Sequence, residues 1–170
     1  MIENIKKEYQ QHEAKLLSEG RLMRETCLGY YGPASVSSVS DLFRKIGVKG
    51  SFVDLGSGDG RVVLVAALFA DAEGIEADKE LVDESKRICS KLGIKAGFVQ
   101  GDYLDACLSG YDFLFLNPDS RFPELEKKLR NEMKQGAKLI VMGSLYRPLN
   151  MKEEKSIVID GTRFGIYRKS

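Results

Sequence analysis

Three glycines in five residues, at 56, 58 and 60, follow a short apolar run, with two acids, Asp54 and Asp59, set around them in the stretch Ser51–Val62, SFVDLGSGDGRV. Glycine at these positions lets the backbone take positive φ and lets a ligand come close without Cβ interference. The same turn is expected to aim free N–H groups of the following helix at that ligand. A dinucleotide site needs G-x-G-x-x-G beneath a pyrophosphate. Here Arg61 follows the third glycine and holds the place that pattern gives to its last glycine, and two carboxylates would repel a dianion by about 1 kcal/mol or more per close pair, even with strong screening. A ring of acids instead welcomes a ligand that carries positive charge beside a zwitterionic tail. Later apolar runs end in further polar residues in a set order: Glu76 after AEGI, Asp102 after AGFVQG and Asn117 after DFLFL.

S-adenosylmethionine answers this whole set. Its sulfonium and ammonium suit the acids, and its carboxylate suits backbone N–H groups. Its two ribose hydroxyls suit Glu76, and its adenine amino group suits Asp102. The expected cofactor contacts are Asp54, Gly56, Ser57, Gly58, Asp59, Gly60, Glu76, Ala77, Asp102, Tyr103 and Asn117, with Ile75, Ala77 and Tyr103 against the adenine faces.

The elements that must position these residues follow from periodicity. Residues 1–30 read as a polar helical extension whose Leu16, Leu17 and Met23 form only a partial apolar stripe, which suggests a helix lying on the surface and shielding the cofactor. CLGYYGPAS breaks it. Ser35 caps a helix carrying Val36, Val39, Leu42, Phe43 and Ile46 on one face and ended by Gly47. Then strands and helices alternate. Strands are expected at 52–55, 72–76, 96–100, 112–116 and 138–142, and helices at 61–70, after Asp78, and from about Pro123 to Gly136. The runs SIVI and FGIYR, joined by DGTR with its Asp160-Gly161 turn signal, form a closing hairpin within 155–169. Alternation of this kind means an α/β fold, a doubly wound and mostly parallel Rossmann-like sheet with helices on both faces and a C-terminal antiparallel hairpin. Such a sheet binds its ligand outside the carboxyl ends of its strands, where strand order reverses. The core that does this is expected over residues 35–145 of a single domain spanning 1–170.

Composition sets the outer bounds. The chain has 170 residues, 43% hydrophobic and 30% charged, with a formal net charge of +1, so no global field draws it to nucleic acid or to a membrane surface. Cys27, Cys89 and Cys107 show no CxxC spacing and are expected as reduced, mostly buried thiols. With a lone His12 there is no zinc ligand set, and no metal is expected. No apolar run approaches the roughly 20 residues of a membrane span, and the charged start MIENIKKEYQ is not a signal peptide, which points to the cytoplasm.

The stretches FVDLGSGDGRVVLVAALF, GIEAD, GDYLD and YDFLFLNPD resemble the motifs of class I S-adenosylmethionine-dependent methyltransferases. Within that superfamily, DLGSGDGRVV and the compact ending resemble the small seven-strand protein-lysine methyltransferases of archaea and mitochondria, and DLGSG followed by GIE is similar to the non-SET histone lysine methyltransferases. The resemblance implies methyl transfer to a protein lysine amine. The chain departs from the superfamily pattern in having only about 13 residues between KLIVM and SIVI, too few for the usual helix.

For the chemistry itself, the candidates by position are Asn117, Pro118 and Asp119, with Tyr30, Tyr31 and Phe122 as aromatic walls for an ammonium. NPDS is close to the Asn-Pro-Pro-aromatic loop that grips an exocyclic amino group, so a nucleic-acid base is the competing acceptor. The second proline and the aromatic are replaced here by Asp119 and Ser120. The basic run Arg121, Lys127, Lys128, Arg130, Lys134 and Lys138 is interleaved with Glu124, Glu126 and Glu132, which reads as an ion-paired solvated face rather than a nucleic-acid groove. A small-molecule methyltransferase and an inert cofactor-binding module complete the alternatives.

Overall fold

Ile2, Ile5 and Tyr9 recur at helical spacing and give α1 (Ile2–Ser18) a face that packs against the body of the protein. In this computed structural model, which describes residues 1–21, 24–26, 28–118 and 121–169, Ile5 and Tyr9 are fully buried. The helix therefore joins the core instead of lying on the surface. The apolar stripe expected around Leu16 and Leu17 is not the one used, since Leu17 is 67% exposed. The helical part of the N-terminal extension stops at Ser18, and β1 (Arg24–Glu25) and β2 (Tyr30–Tyr31) pair antiparallel after it. Met23, Cys27, Asp119 and Ser120 lie outside the described residues.

Ser35 starts α2 (Val36–Ile46) by accepting the Ser38 N–H on its hydroxyl, and Gly47 ends it with φ 68°. The apolar run at Ser51–Leu55 forms β3, and α3 covers Arg61–Ala66. The helix expected to reach Ala70 ends sooner because its last N–H groups switch partners, Leu68 to Val65 O and Phe69 to Ala66 O. That tighter turn brings the chain back within a few residues to start β4 (Asp71–Glu76). Asp78 caps α4 (Lys79–Leu92) by accepting the Glu80 and Leu81 N–H groups, and Gly93 closes it. There follow β5 (Gly97–Gln100), β6 (Phe113–Leu116), α5 (Phe122–Glu132), β7 (Lys138–Met142), β8 (Met151–Ile159) and β9 (Thr162–Lys169).

Seven strands make one sheet in the order β5-β4-β3-β6-β7-β9-β8. The five from β5 to β7 are parallel, and β9 runs antiparallel to both its neighbours. The expected doubly wound sheet with its antiparallel ending is what forms. No helix separates β7 from β8, as the short connection requires. Asp160 and Gly161 both take positive φ, 49° and 76°, as a two-residue type I′ turn demands. The edge strand β8 begins at Met151, well before the apolar run SIVI, because its polar residues face solvent along an open edge.

One core cluster lies between the sheet and α1 to α4 and contains Ile5, Phe43, Phe52, Val63, Ile88 and Phe115. The other lies under α5 and contains Leu55, Leu114, Leu125, Leu129 and Tyr167. Side chains of this size each contribute about 1.5–3 kcal/mol on full burial. Both faces of β3 and β6 are thus dry, which fixes the strand ends that carry the polar residues. Cys89 is buried as expected, but Cys107 is exposed because it falls in the surface loop after β5.

Candidate functional site

Strand order reverses at β3, with β4 on one side and β6 on the other, and a cleft opens beyond the carboxyl ends of these strands. Its wall is built from Thr26 and residues 28–34, the turn after β3 and the ends of β4, β5 and β6. Of the residues expected at a cofactor, Asp54, Gly56, Ser57, Gly58, Asp59, Glu76, Ala77, Asp102, Tyr103 and Asn117 all line it, together with Tyr30 and Tyr31. Gly60 is absent from this lining. A Cβ there would come within 2.6 Å of the Phe98 ring and 2.7 Å of Ser85 Oγ, so Gly60 serves the close packing of the turn on α4 and β5. Phe122 does not join the expected aromatic wall. Its ring stacks on Tyr146 at 4.4 Å and 8°, on the α5 side of the sheet. Pro118 is buried beside Asn117, and Asp119 lies outside the described residues.

The turn itself is satisfied mostly from within. Gly56 and Ser57 both donate to Ile75 O, at 2.9 and 3.0 Å, and Gly60 donates to Ser57 O. Gly58 donates to Glu76 Oε2 at 2.8 Å, and Asp78 donates to Oε1 at 2.9 Å. The expected array of free N–H groups is therefore reduced: of residues 56–60, only Asp59 has an N–H without a partner among the described residues. The bare backbone remains open, with Gly56 and Gly58 at φ 78° and 54°. The Tyr31 ring lies so close that a Cβ on Gly58 would be 3.1 Å from it.

Charge in the cleft is divided unequally. The carboxylate of Asp54, a residue 3% exposed, has no hydrogen-bond partner among the described residues. Burial pushes its carboxyl well above the ordinary range, and Glu76 and then Asp59 add to the shift. Asp59 is different, because it is already neutralised. Arg61 Nη2 donates to its Oδ2 at 2.7 Å and Arg61 Nε to its Oδ1 at 3.0 Å, and the Tyr31 hydroxyl donates to Oδ2 at 2.7 Å. Burial and then the Asp59 charge hold the Tyr31 hydroxyl far above its usual range, so it stays a donor.

Arg61 is the functional residue that sequence reasoning passed over. It is 3% exposed and also reaches Glu13 of α1 and Ala34 O, while its guanidinium lies 4.7 Å from the Tyr9 ring centroid. Tyr9 donates to Asp59 O at 2.8 Å, and His12 lies 3.0 Å from Glu84 and 3.9 Å from Asp59. No residue of α1 lines the cleft, so this helix braces the glycine turn from beneath and does not cover the ligand. The four-residue step from Ile5 to Tyr9 was the available signal.

These residues fit S-adenosylmethionine. Among the described residues the Asp54 carboxylate meets no donor and Ser57 Oγ is buried with no partner, as an ammonium-bearing ligand would require, and the glycine backbone leaves room that side chains would fill. Glu76→Ala is expected to weaken S-adenosylhomocysteine binding by about 1–3 kcal/mol, since the Gly58 and Asp78 N–H groups would lose the acceptor that holds the glycine turn, and a ligand hydroxyl at the cleft would lose it too. Unchanged affinity in a calorimetric titration would remove Glu76 from the site.

Asp54 predicts opposite pH trends for binding and stability. An acid whose folded pKa is raised binds protons more tightly in the native state, so between its ordinary and raised values stability increases as pH falls. A ligand ammonium favours the ionised form, so affinity should fall over that same interval. In Asp54→Asn both slopes should flatten. Parallel slopes in the wild type would show that no cation meets Asp54.

Residues 24–160 match the family described as Histone methylation protein DOT1. The chain is 32% identical over 123 residues to a Mus musculus lysine N-methyltransferase named for an ATP synthase subunit, covering 69% of this chain and 49% of that protein. It is 33% identical over 136 residues to the H3 lysine-79 specific histone-lysine N-methyltransferase of Emericella nidulans, covering 67% of this chain and 27% of that one. It thus spans half or less of the length of these relatives. In fold it is similar to the RNA methyltransferase of Salinibacter ruber solved with S-adenosyl-L-homocysteine, with TM-score 0.69, 22% identity and 81% and 94% of the two chains covered. It is also similar to the tRNA (uracil-54, C5)-methyltransferase of Pyrococcus abyssi, with TM-score 0.66, 16% identity and 81% and 40% covered. The glycine turn between Asp54 and the Arg61-paired Asp59, the acids closing β4 and β5, and a family match that takes in all of them place this chain in the DOT1 histone methylation protein family.

Proposed function

We propose that this protein is an S-adenosylmethionine-dependent methyltransferase that acts on a lysine amine of a protein substrate. The observation that carries the reading is the cleft at the sheet's switch point, where Asp54, Glu76, Asp102 and Asn117 converge from successive strand ends around an open glycine backbone. The relatives described as lysine N-methyltransferases support the acceptor class.

The bound cofactor would supply a methyl group on a cationic sulfur, open to in-line displacement. The chain's part is to hold both partners in register and exclude water. Asp54 neutralises the ammonium, Glu76 takes the ribose, and Asp102 takes the adenine amino group. A lysine amine, with a reference pKa of about 10.4, must lose its proton before attack. Asn117 lies at the cleft, its Nδ2 donating to Gly32 O at 3.4 Å, so its carbonyl oxygen could accept a hydrogen bond from that amine and orient it. Tyr30, 69% exposed, stands at the same wall and offers an aromatic face to a cation. Asp119 remains a candidate for the proton, on its position after Asn117-Pro118 alone. Among the described residues no helix is long and apolar enough to cross a membrane. Action in the cytoplasm is part of the same proposal.

Incubation of the protein with methyl-labelled cofactor and cell lysate tests this. Label is expected in protease-sensitive, nuclease-resistant material and, after hydrolysis, in methyllysine. Label in RNA or DNA would instead favour a base N-methyltransferase, which the Asn117-Pro118 pair at the cleft could also serve. Label confined to small solutes would mark a metabolite enzyme, and binding without transfer an inert module.

A further inference from the structure

Arg121 stands at the start of α5 with a left-handed backbone, φ 60° and ψ 30°, a conformation disfavoured for a residue with a Cβ. From there its guanidinium reaches across to the end of β5, where Nη1 donates to Asp102 Oδ2 at 2.6 Å. The other oxygen, Oδ1, accepts the Leu104 N–H at 2.9 Å. Asp102 lines the cleft and Arg121 does not, so the cation holds the acid from outside. Burial alone would raise the Asp102 carboxyl. The Leu104 amide and then Arg121 outweigh that and leave it below the usual range. Each carboxylate oxygen can accept more than one hydrogen bond, so an acceptor pinned at both oxygens still presents lone pairs to the cleft, in one fixed orientation.

We propose that Arg121 is a positioning residue for cofactor recognition: by fixing the Asp102 carboxylate it makes the cleft select a purine with an exocyclic amino group over one with a carbonyl. The inference rests on the reading of the cleft as a site for S-adenosylmethionine. An amino group donates to the fixed carboxylate. A 6-oxopurine brings a carbonyl oxygen against it, and the two acceptors repel. Freed from Arg121, Asp102 can rotate about its side-chain bonds, and an orientation-dependent preference decays while the rest of the nucleoside binds as before.

The test is calorimetric titration of the full chain with S-adenosylhomocysteine and with S-inosylhomocysteine. The wild-type protein is expected to prefer the adenosyl compound at least about tenfold, since a site built around a donor rejects an analogue lacking it. Arg121→Met is expected to shrink that ratio at least about fivefold with little change in melting temperature, and Arg121→Lys to restore most of it. Should Arg121→Met fold poorly, Arg121→Gln supplies the same comparison with a neutral donor. A ratio unchanged in the neutral variants, or equal weakening of both compounds, would overturn the inference, because it would show Arg121 to be merely structural. Failure of the wild-type protein to bind either compound would overturn the functional reading itself, and this inference with it.

Discussion

Arg61→Met is expected to lower the free energy of unfolding by about 3–5 kcal/mol, read as a fall in the urea midpoint at unchanged slope. The side chain lost is one of two buried partners. Asp59, 1% exposed, would keep its carboxylate without the guanidinium that pairs with it, and Glu13 and Ala34 O would lose their donor as well. Burial works against the Arg61 charge, but Asp59 more than compensates and holds the guanidinium above its ordinary range. Asp59 in turn anchors the Tyr31 hydroxyl, and its backbone oxygen anchors Tyr9. The damage should therefore spread to the glycine turn, and cofactor affinity should fall with stability. The double variant Arg61→Met with Asp59→Asn should recover a good part of the loss, since removing both charges is far less costly than removing one. A single variant that unfolds within 1 kcal/mol of wild type would show that the pair contributes little and that α1 is held by apolar packing alone.

Gly58→Val is expected to weaken S-adenosylhomocysteine binding more than about 100-fold, or roughly 2.7 kcal/mol, while leaving the protein folded. Two effects act at that position. The backbone there sits at φ 54°, a conformation that a β-branched residue adopts only with strain. The added Cβ would also meet the Tyr31 ring at 3.1 Å, and that ring is fixed at its far end by Asp59. Either the turn moves away from its ligand or Tyr31 is driven into the cleft. Gly58→Ala should fall between the two, having the same φ problem with less bulk. Retained affinity in the valine variant would take the glycine turn out of the binding account.

The sequence is legible where the deciding interactions are short in range. Short apolar runs bounded by turn residues place five strands of the central sheet within a residue or two, and they are plainest in β3, β6 and β7, which are buried almost throughout. Caps at Ser35, Asp78, Gly47 and Gly93 are legible because the side chain or the glycine acts on its own helix end. The Asp160-Gly161 turn is legible for the same reason. With strand ends fixed, the convergence of Asp54, Glu76, Asp102 and Asn117 at one cleft follows from the topology of alternating units. Asp59, Arg61, α1 and Phe122 are not legible in this way, because their surroundings are supplied by distant chain. By sequence Asp59 reads as a charge facing the ligand, whereas in the fold Arg61 holds it.

What the sequence by itself determined is the parallel sheet, its switch point, and the order in which acids arrive there, since strand period and glycine spacing are properties of adjacent residues. Only the tertiary structure decided which acids remain open to a ligand. The Asp54 carboxylate is left without a partner and Asp102, though held by Arg121, still lines the cleft, while Asp59 is taken up by Arg61 among the described residues. The fold also turned Phe122 onto Tyr146 and drew Tyr9 into the core against the glycine turn. The physical reason is common to all of these: an ion pair or a stacked ring depends on distances of a few ångströms between groups that are often far apart in sequence, and only chain packing sets such distances.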